Sequence, residues 1–452
     1  MPVYMCLLIQ RYVQEREEWL LDRCDGAAAF ASVVPKEVSR MSAKRIFAVV
    51  LALSLLLVSV ASAEVTLQVW NRNGLMGDIV NAFNAKMEAE GKAIKAEFTL
   101  VPYEEQQVKF ITALSAQTAP DVYGLDLINF PYFNSIGAFA DITEKVNALP
   151  FKDQFNPGMA REGIWEGKIY AVPLYNDNSA LFYNKKLFAE AGLTDPPKTW
   201  AQVKEYAEKL TKGDQYGITF CGAVAGMTAF TWTPHLWMNG GDVGTEENAA
   251  RTTVTLNSKE AEEALQYWAD LAKFAPEGAP TYTYADYYNG FTSEKVGMIF
   301  GGSWHIAAMS NDKPLLDFGV ALFPTPKEGQ PSSSFMGGDN IGICSQTQHF
   351  EEAWEFVNFA VSEDAQLDVI AKANTVPGRL DLANKNEYFD EDPRYYVFAE
   401  AGKVGKAPYT TKWVEETNVL GAMIVEALAT KGDQSVKPIL EKAAQEMGAL
   451  WK

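Results

Sequence analysis

Aromatic rings and planar polar groups are the side chains of this sequence whose chemistry is most distinctive. Flat rings cover the C–H faces of pyranose sugars, while carboxylates, amides and guanidinium groups pair with hydroxyls, which both donate and accept hydrogen bonds. The candidate rings are those of Trp70, Tyr175, Phe230, Trp232, Trp304 and Trp413. The candidate polar groups are those of Asn71, Asp126, Asn176, Asp177, Asp339, Asn340 and Arg379. If the fold gathers them in one cleft, they suit a ligand rich in hydroxyl groups, although Phe230 and Trp232 are more typical of a core.

Catalytic and metal-binding signatures are absent from the sequence. It contains no G-x-S-x-G, H-E-x-x-H, P-loop or G-x-G-x-x-G motif. Its three histidines, His235, His305 and His349, are not spaced as metal ligands. We therefore expect no cofactor and no metal. A glycoside hydrolase needs two carboxylates in one cleft, and the many acidic residues leave that alternative open.

Two of the candidates follow predicted strands in the first part of the chain. Residues 65–69 alternate in polarity, residues 94–100 alternate again, and residues 121–125 form an apolar run, with amphipathic helical patterns between these strands. A β-α-β-α-β order predicts a parallel, doubly wound sheet. Ligands of such sheets lie beyond the carboxyl ends of the strands, so Trp70 and Asp126 are site candidates.

The stretch 169–188 has an apolar, polar, apolar pattern that predicts a crossover between two α/β lobes. Its polar middle, residues 175–179, is too polar for one strand and would face the cleft between the lobes, with Tyr175 and Asn176 at its start. A strand-loop-strand corner is the alternative.

Strand and helix patterns alternate again after this stretch, which predicts a second α/β lobe. Glycines at 301 and 302 and prolines at 324 and 326 mark the ends of two further strands, which we expect to return the chain between lobes. The predicted division is a first lobe of residues 64–176 and 297–330 and a second lobe of residues 177–296 and 331–452.

A signal peptide is predicted at residues 41–63. Lys44 and Arg45 precede an apolar run over residues 46–60, and Ala61-Ser62-Ala63 provides a cleavage site before Glu64. The run is short for a membrane span, and no cysteine follows the site, so we expect a soluble protein outside the cytoplasm. Residues 1–40 do not fit a signal peptide. They indicate either a mis-assigned start, with Met41 as the true first residue, or a cytosolic extension on a signal anchor.

Charge and cysteine content limit the partners and the covalent chemistry. The net charge of −19 argues against nucleic acid and against anionic membranes as partners. After removal of residues 1–63, Cys221 and Cys344 remain, both in predicted strands of the same lobe. Export to an oxidising compartment permits a disulfide between them, and two buried free thiols are the equal alternative.

Motifs along most of the chain resemble those of the extracellular solute-binding proteins of ABC sugar importers, which include maltose-binding-type proteins. YAVPLYNDNSALFYNKKLF, at residues 170–188, is similar to the first hinge region of that family. The further matches, in the order of the family, are APDVYGLD (119–126), FTSEKVGMIFGGSW (291–304), GVALFPTPKEG (319–329), GGDNIGI (337–343) and NTVPGR (374–379). The resemblance implies a periplasmic-binding-protein type II fold, in which two doubly wound α/β lobes are joined by a hinge that the chain crosses several times.

The resemblance also implies a function and assigns roles to several candidates. It implies a monomer in the periplasm or outside the cell that captures a sugar between its lobes and delivers it to a membrane permease, without catalysis. It places a sugar-stacking ring at Trp304, a hinge carboxylate at Asp339 and an aromatic at Trp413. Arg379, in the last motif, either joins the site or pairs with Asp381 at the surface.

Two alternatives to sugar binding remain open from the sequence. The same fold could bind another small solute. That solute could be a polyol, a glycerophosphate or a polyamine. A phosphate ligand needs several converging cations, of which the cleft candidates offer only Arg72 and Arg379, whereas a polyamine would use Asp126, Asp177 and Asp339. A secreted glycan hydrolase is the second alternative.

Overall fold

The computed structural model describes residues 64–247, 250–384 and 386–452. The predicted extension 1–40, signal peptide 41–63 and the Ala63 side of its cleavage site lie outside the described residues. Within the described residues, no helix combines the length and the apolar character that crossing a membrane requires.

Fourteen strands are present in the described residues, and ten of them form one sheet. Their bounds are β1 Val65–Asn71, β2 Ile94–Leu100, β3 Val122–Asp126, β4 Ile164–Trp165, β5 Lys168–Ile169, β6 Ala171–Asn184, β7 Tyr216–Ile218, β8 Gly244–Glu247, β9 Ala250–Val254, β10 Val296–Gly302, β11 Phe318–Ala321, β12 Ser334–Ile343, β13 Val376–Pro377 and β14 Gly405–Lys406. The main path of the sheet is β2–β1–β3–β12–β6–β10–β7. Strands β11 and β13 pair with β6, and β14 pairs with β12. The pairs β4–β5 and β8–β9 are separate two-stranded ribbons.

Helices follow or separate these strands along the chain. Their bounds are α1 Leu75–Ala89, α2 Gln106–Ala116, α3 Phe130–Ser135, α4 Thr143–Asn147, α5 Pro157–Glu162, α6 Lys185–Glu190, α7 Trp200–Leu210, α8 Ala225–Met238, α9 Lys259–Leu271, α10 Tyr284–Thr292, α11 Trp304–Asp312, α12 Phe350–Ala360, α13 Glu363–Ala365, α14 Leu380–Ala383, α15 Glu387–Glu391, α16 Arg394–Val404, α17 Trp413–Thr430 and α18 Lys437–Leu450. One π-helical turn, Gln366–Ala371, follows α13.

The first part of the sheet has the predicted β-α-β-α-β order. Strand β1 runs parallel to both β2 and β3, and α1 and α2 make the connections. The apolar side of α1 buries Ile79, Phe83 and Met87 against Leu67 and Val69 of β1. Burial of this stripe is what holds an amphipathic helix on a sheet, and the carboxyl ends of β1 and β3 lie side by side as a result.

The predicted crossover is one continuous strand, β6, rather than two apolar segments around a polar loop. Its first residues pair with β12, which pairs with β3 in turn. Its last residues pair with β10 and β11. The expectation that residues 175–179 are too polar for a strand was wrong, because neighbouring strands satisfy their backbone groups and only Asp177 among them is partly exposed.

The sheet pairing corrects the predicted division into lobes. Strand β10 pairs with residues 179–183 of β6 and with β7, so it lies with the second lobe, although residues 297–330 were assigned to the first. Ile341 and Ile343 of β12, together with α12, pack in the same core as Leu67, so this part of 331–452 lies with the first lobe. Strand pairing depends on tertiary contacts that the polarity pattern does not encode.

A β-bulge marks the place where β12 passes from one lobe to the other. The register shifts between Asp339 and Asn340, which face Tyr175 and Pro173 and leave Leu174 without a partner in β12. The carbonyl of Leu174 instead accepts a hydrogen bond of 2.8 Å from Nε2 of the buried Gln366. Just before the bulge, Gly338 has φ of +106°, a conformation that favours glycine.

The two cysteines are free and buried in separate cores, so the proposed disulfide is wrong and the alternative of two free thiols is confirmed. Cys221 follows β7 and packs with Phe182 and Tyr287. Cys344 follows β12 and packs with Phe110 and Tyr123. The expectation that both belong to one lobe failed for the same reason as the division of the chain, namely the placement of β12.

Candidate functional site

Arg72 is the centre of a charged cluster at the carboxyl ends of β1 and β3. Its Nε lies 2.7 Å from Oδ1 of Asp339, and its guanidinium group reaches Asp126 Oδ2 at 3.2 Å. Two carboxylates beside one guanidinium group raise the pKa of Arg72 well above its ordinary value, despite its burial. Arg72 therefore carries a permanent charge in this cluster.

Asp339 holds this cluster together and is fully buried. Besides Arg72, it accepts hydrogen bonds from Nδ2 of Asn71 at 2.8 Å and from the hydroxyl of Tyr175 at 2.5 Å. Three donors on one carboxylate leave it little capacity for a ligand. The structure thus brings together Asn71, Asp126, Tyr175 and Asp339, and gives Asp339 and Asn71 supporting positions behind Arg72.

Burial weakens the acidity of the two carboxylates that stand in front of Asp339. Desolvation raises the pKa of Asp126 to about 6, although Arg72 opposes the shift. Desolvation likewise raises the pKa of Asp177 to about 8, and the nearby charges of Asp126 and Asp339 add to it. A protonated Asp177 can both donate and accept a hydrogen bond, which suits a hydroxyl-bearing ligand.

Trp304 presents a half-buried ring in the second lobe. It begins α11 directly after β10, and a Cβ on Gly302 would lie 1.8 Å from its ring, so only glycine permits this approach. The ring centroid lies 5.3 Å from that of Phe230. Its Nε1 donates a hydrogen bond of 2.8 Å to the hydroxyl of Tyr284.

Asp177 lies between the Arg72 cluster and Trp304. The charges of Arg72 and Asp126 both shift the pKa of its carboxyl group, Arg72 downwards and Asp126 upwards. It also accepts a hydrogen bond of 3.4 Å from the hydroxyl of Ser303, the residue before Trp304. One polar side chain of β6 thereby joins the charged side and the aromatic side of a single gap.

Tyr103 is a further point where the two lobes approach each other. The Arg72 guanidinium carbon lies 5.3 Å from the centroid of its ring. On the other lobe, a Cβ on Gly226, at the start of α8, would lie 3.9 Å from the Tyr103 hydroxyl. The gap between the lobes therefore has a charged wall, an aromatic wall and a tyrosine at its edge.

Four predicted candidates have other surroundings. Trp70 lies on the opposite side of β1 from Asn71, with its ring against Tyr123 and under the Lys109 ammonium group. Asn176 points to the opposite side of β6 from Tyr175, and its amide nitrogen would lie 2.7 Å from a Cβ on Gly402.

Trp413 and Arg379 are buried structural residues. Trp413 packs on Phe335 in the core of the second lobe, with ring centroids 5.7 Å apart. Arg379 binds Asp381 through two hydrogen bonds and lies 4.0 Å from the centroid of the Phe151 ring. The proposed pairing of Arg379 with Asp381 is confirmed: Asp381 is at the surface, whereas Arg379 is buried, with the Phe151 ring against its guanidinium group.

Of the remaining weaker candidates, Trp232 and Asn340 are buried structural residues, whereas Phe230 lies beside Trp304. Trp232 is fully buried, as expected for a core residue, and Asn340 donates to the carbonyl of Met159 at 2.8 Å. Phe230 is partly exposed and contacts Trp304. Sequence reasoning did not select Tyr103, Tyr284 or Ser303, and it considered Arg72 only as a phosphate ligand. Its position directly after Asn71, at a strand end, was the signal that could have identified Arg72.

The described residues contain no group of three or more histidine, cysteine, aspartate or glutamate side chains arranged to hold a metal ion. The side chains described above can form hydrogen bonds, charge interactions and ring stacking.

Comparison with known proteins gives one consistent family. Residues 73–367 match the family described as bacterial extracellular solute-binding protein. A putative binding protein of Brucella abortus is 23% identical over 396 residues, which cover 87% of this chain and 95% of that protein. The diacetylchitobiose binding protein DasA of Streptomyces coelicolor is 27% identical over 325 residues, covering 69% of this chain and 72% of DasA.

A solved structure agrees with this relationship. The cyclic alpha-maltosyl-1,6-maltose binding protein of Arthrobacter globiformis is 26% identical, with a TM-score of 0.73, and the match covers 86% of this chain and all of that one. The two-lobed type II fold expected from the sequence is confirmed. The chain belongs to the family of bacterial extracellular solute-binding proteins.

Proposed function

We propose that this protein captures a sugar in the gap between its lobes and delivers it to an ABC importer. The observation that carries the proposal is the position of Asp177, which joins the Arg72 cluster to Ser303 and Trp304. A sugar ring can lie on the face of Trp304 while its hydroxyl groups bind Asp177, Asp126 and Arg72. The sugar specificity of DasA and of the Arthrobacter protein supports this choice of ligand class.

The charges of the gap argue against the other small solutes. Arg72 is neutralised by two carboxylates, so a glycerophosphate would find no free cation in this cluster. A polyamine would meet Arg72 in the middle of the carboxylates that were expected to bind it, and like charges repel. A neutral, hydroxylated ligand avoids both penalties.

Export and partners complete the proposal. The sequence pattern of residues 41–63 supports a cleaved signal peptide and a mature protein, beginning at Glu64, in the periplasm or outside the cell. Closure of the lobes on the sugar would create the surface that a permease recognises, because only the closed state has ligand contacts from both lobes. We propose a monomer that binds without turnover.

Calorimetric titration of the protein from Glu64 onward tests the ligand class. The panel comprises neutral mono- and oligosaccharides, glycerol 3-phosphate and spermidine. We expect at least one sugar to bind, and replacement of Trp304 by alanine to weaken that binding about 5- to 30-fold, because a stacked ring contributes roughly 1–2 kcal/mol.

Trp354→Ala is the matched control. Trp354 is half-buried like Trp304, but it lies on α12 beside Ile94 at the outer edge of the sheet. Its replacement should cost stability without changing sugar affinity. Exclusive binding of glycerol 3-phosphate or spermidine would overturn the proposal, and new reducing ends after incubation with an oligosaccharide would favour a hydrolase.

A further inference from the structure

A chain of hydrogen bonds starts at the indole of Trp304 and ends in the backbone of β10. Trp304 Nε1 lies 2.8 Å from the hydroxyl oxygen of Tyr284. The same oxygen lies 3.2 Å from Nε2 of His305. Nδ1 of His305 lies 3.1 Å from the carbonyl oxygen of Gly302. Three side chains are thus linked in series, and His305 is fully buried.

The chemistry of the indole fixes the direction of the first bond. An indole nitrogen only donates, so the Tyr284 oxygen accepts from Trp304. His305 Nδ1 lies 3.1 Å from the carbonyl oxygen of Gly302 and 3.2 Å from its backbone nitrogen, so either tautomer of the ring is held at Gly302, and the bond from Trp304 to Tyr284 is the same in both. Burial lowers the pKa of His305 to about 4, which keeps the ring neutral near pH 7.

The ring of Tyr284 is held by groups on its own helix and by His305. It stacks on Tyr288, one turn later in α10, with centroids 6.2 Å apart and planes at 12°. Its ring centroid lies 5.6 Å from that of His305. A capping box between Thr283 and Asp286 anchors the start of the same helix. The position of its hydroxyl therefore does not depend on a ligand.

We infer that Tyr284 is a positioning residue, which fixes the plane of the Trp304 indole through its hydroxyl group and thereby makes that indole a stacking surface only. This inference rests on the proposed sugar site, which it refines. The indole N–H is already occupied, so the ligand must present a C–H face to Trp304 and direct its hydroxyl groups towards Asp177. A ligand that requires a hydrogen bond from the Trp304 indole is therefore excluded.

The first test needs no ligand. In ¹⁵N-labelled protein, the Trp304 indole resonance is assigned by its loss in Trp304→Phe, and its hydrogen exchange rate is measured in Tyr284→Phe. We expect exchange to accelerate at least about fivefold, because the indole N–H loses its acceptor. Tyr288→Phe is the control, since its hydroxyl binds Asp312 at 3.0 Å. Equal exchange in wild type and Tyr284→Phe would refute the positioning role.

The second test is a double-mutant cycle for sugar affinity. Tyr284→Phe should weaken binding about fivefold in the wild-type background and have almost no effect in Trp304→Phe, which has no N–H to orient. An equal loss in both backgrounds would show that Tyr284 contacts the ligand itself, against the inference. If no sugar binds the wild type, the proposed function fails, and the exchange experiment still decides the role of Tyr284.

Discussion

The fold strongly alters the ionisation of Asp177, because burial raises the pKa of its carboxyl group. Its folded-state pKa of about 8 lies above the value near 4 that an unfolded aspartate has. Between these two values the folded protein binds more protons than the unfolded chain. Stability that depends on this group is therefore complete below about pH 4 and is lost as the pH rises through about 8.

Replacement of Asp177 by asparagine should remove this pH dependence. Asparagine has the same shape and cannot ionise, so we expect the variant to gain roughly 2 kcal/mol over the wild type at pH 8.5 and little at pH 4. Urea unfolding at the two pH values measures the difference. Asp214→Asn, at an exposed position, should show no such change, and an identical pH profile for wild type and Asp177→Asn would contradict the assignment.

Which of the predicted site residues lie in the gap depends on the alternation of side chains between the two faces of a strand. Strand-end reasoning found Asp126, and with it the neighbourhood of Asn71, because parallel strands end at one edge. Strand-end reasoning also selected Trp70, but successive side chains of a strand point to opposite faces of the sheet, so Trp70 points away from Asn71. For the same reason Asn176 points away from Tyr175. Tyr284 could not be found, because nothing in a helix start 20 residues before Trp304 indicates that their side chains meet.

At the scale of elements, the junction of β6 and β12 determines the geometry of the gap. Asp339 and Tyr175 are opposite each other in these strands, next to the bulge, and both reach the Arg72 cluster. A Cβ on Gly338 would lie 2.2 Å from the carbonyl oxygen of Tyr175. The junction therefore requires glycine for two reasons, its positive φ and the close approach of β6.

Alanine at position 338 should be strongly destabilising. We expect a loss of about 3 kcal/mol or more in the free energy of unfolding, because the backbone of β6 must move. Gly329→Ala is the control, since Gly329 also has positive φ, +81°, but open space around it. That variant should lose only about 1 kcal/mol. Similar losses for both, measured by denaturant unfolding, would mean that the close approach is unimportant.

The polarity pattern predicted elements better than their lengths and neighbours. The first β-α-β-α-β segment was correct, because amphipathic helices and alternating strands are local patterns. Residues 175–179 were misjudged, because a polar stretch can be a buried strand when its neighbours pair with its backbone. That condition depends on β12, which follows β6 by about 150 residues and leaves no mark in the local sequence.

At the scale of the whole molecule, the two-lobed fold was predictable but the membership of the lobes was not. Motif order identified the fold, whereas β10 and the second half of β12 lie in the lobes opposite to those expected. A chain that crosses between lobes can distribute its later strands in several ways with the same polarity pattern. Only the pairing decides among them.

A bound sugar should make the molecule more compact and more stable. Ligand contacts from both walls favour approach of the lobes, so small-angle scattering should show a smaller radius of gyration at saturation. At 100 times the dissociation constant, the free energy of unfolding should rise by about 2.7 kcal/mol. At the same sugar concentration, the Trp304→Ala variant should show a smaller compaction and a smaller gain in stability. If the wild type does not become more compact, closure of the lobes is contradicted.

The strand shared by the two lobes also affects how the protein folds. Because β6 has its partners β12, β10 and β11 in later parts of the chain, neither lobe can finish its sheet until most of the polypeptide has been synthesised. An N-terminal fragment would expose unpaired backbone along β6, which is a template for aggregation. The emerging chain therefore exposes this strand edge until the second lobe is complete.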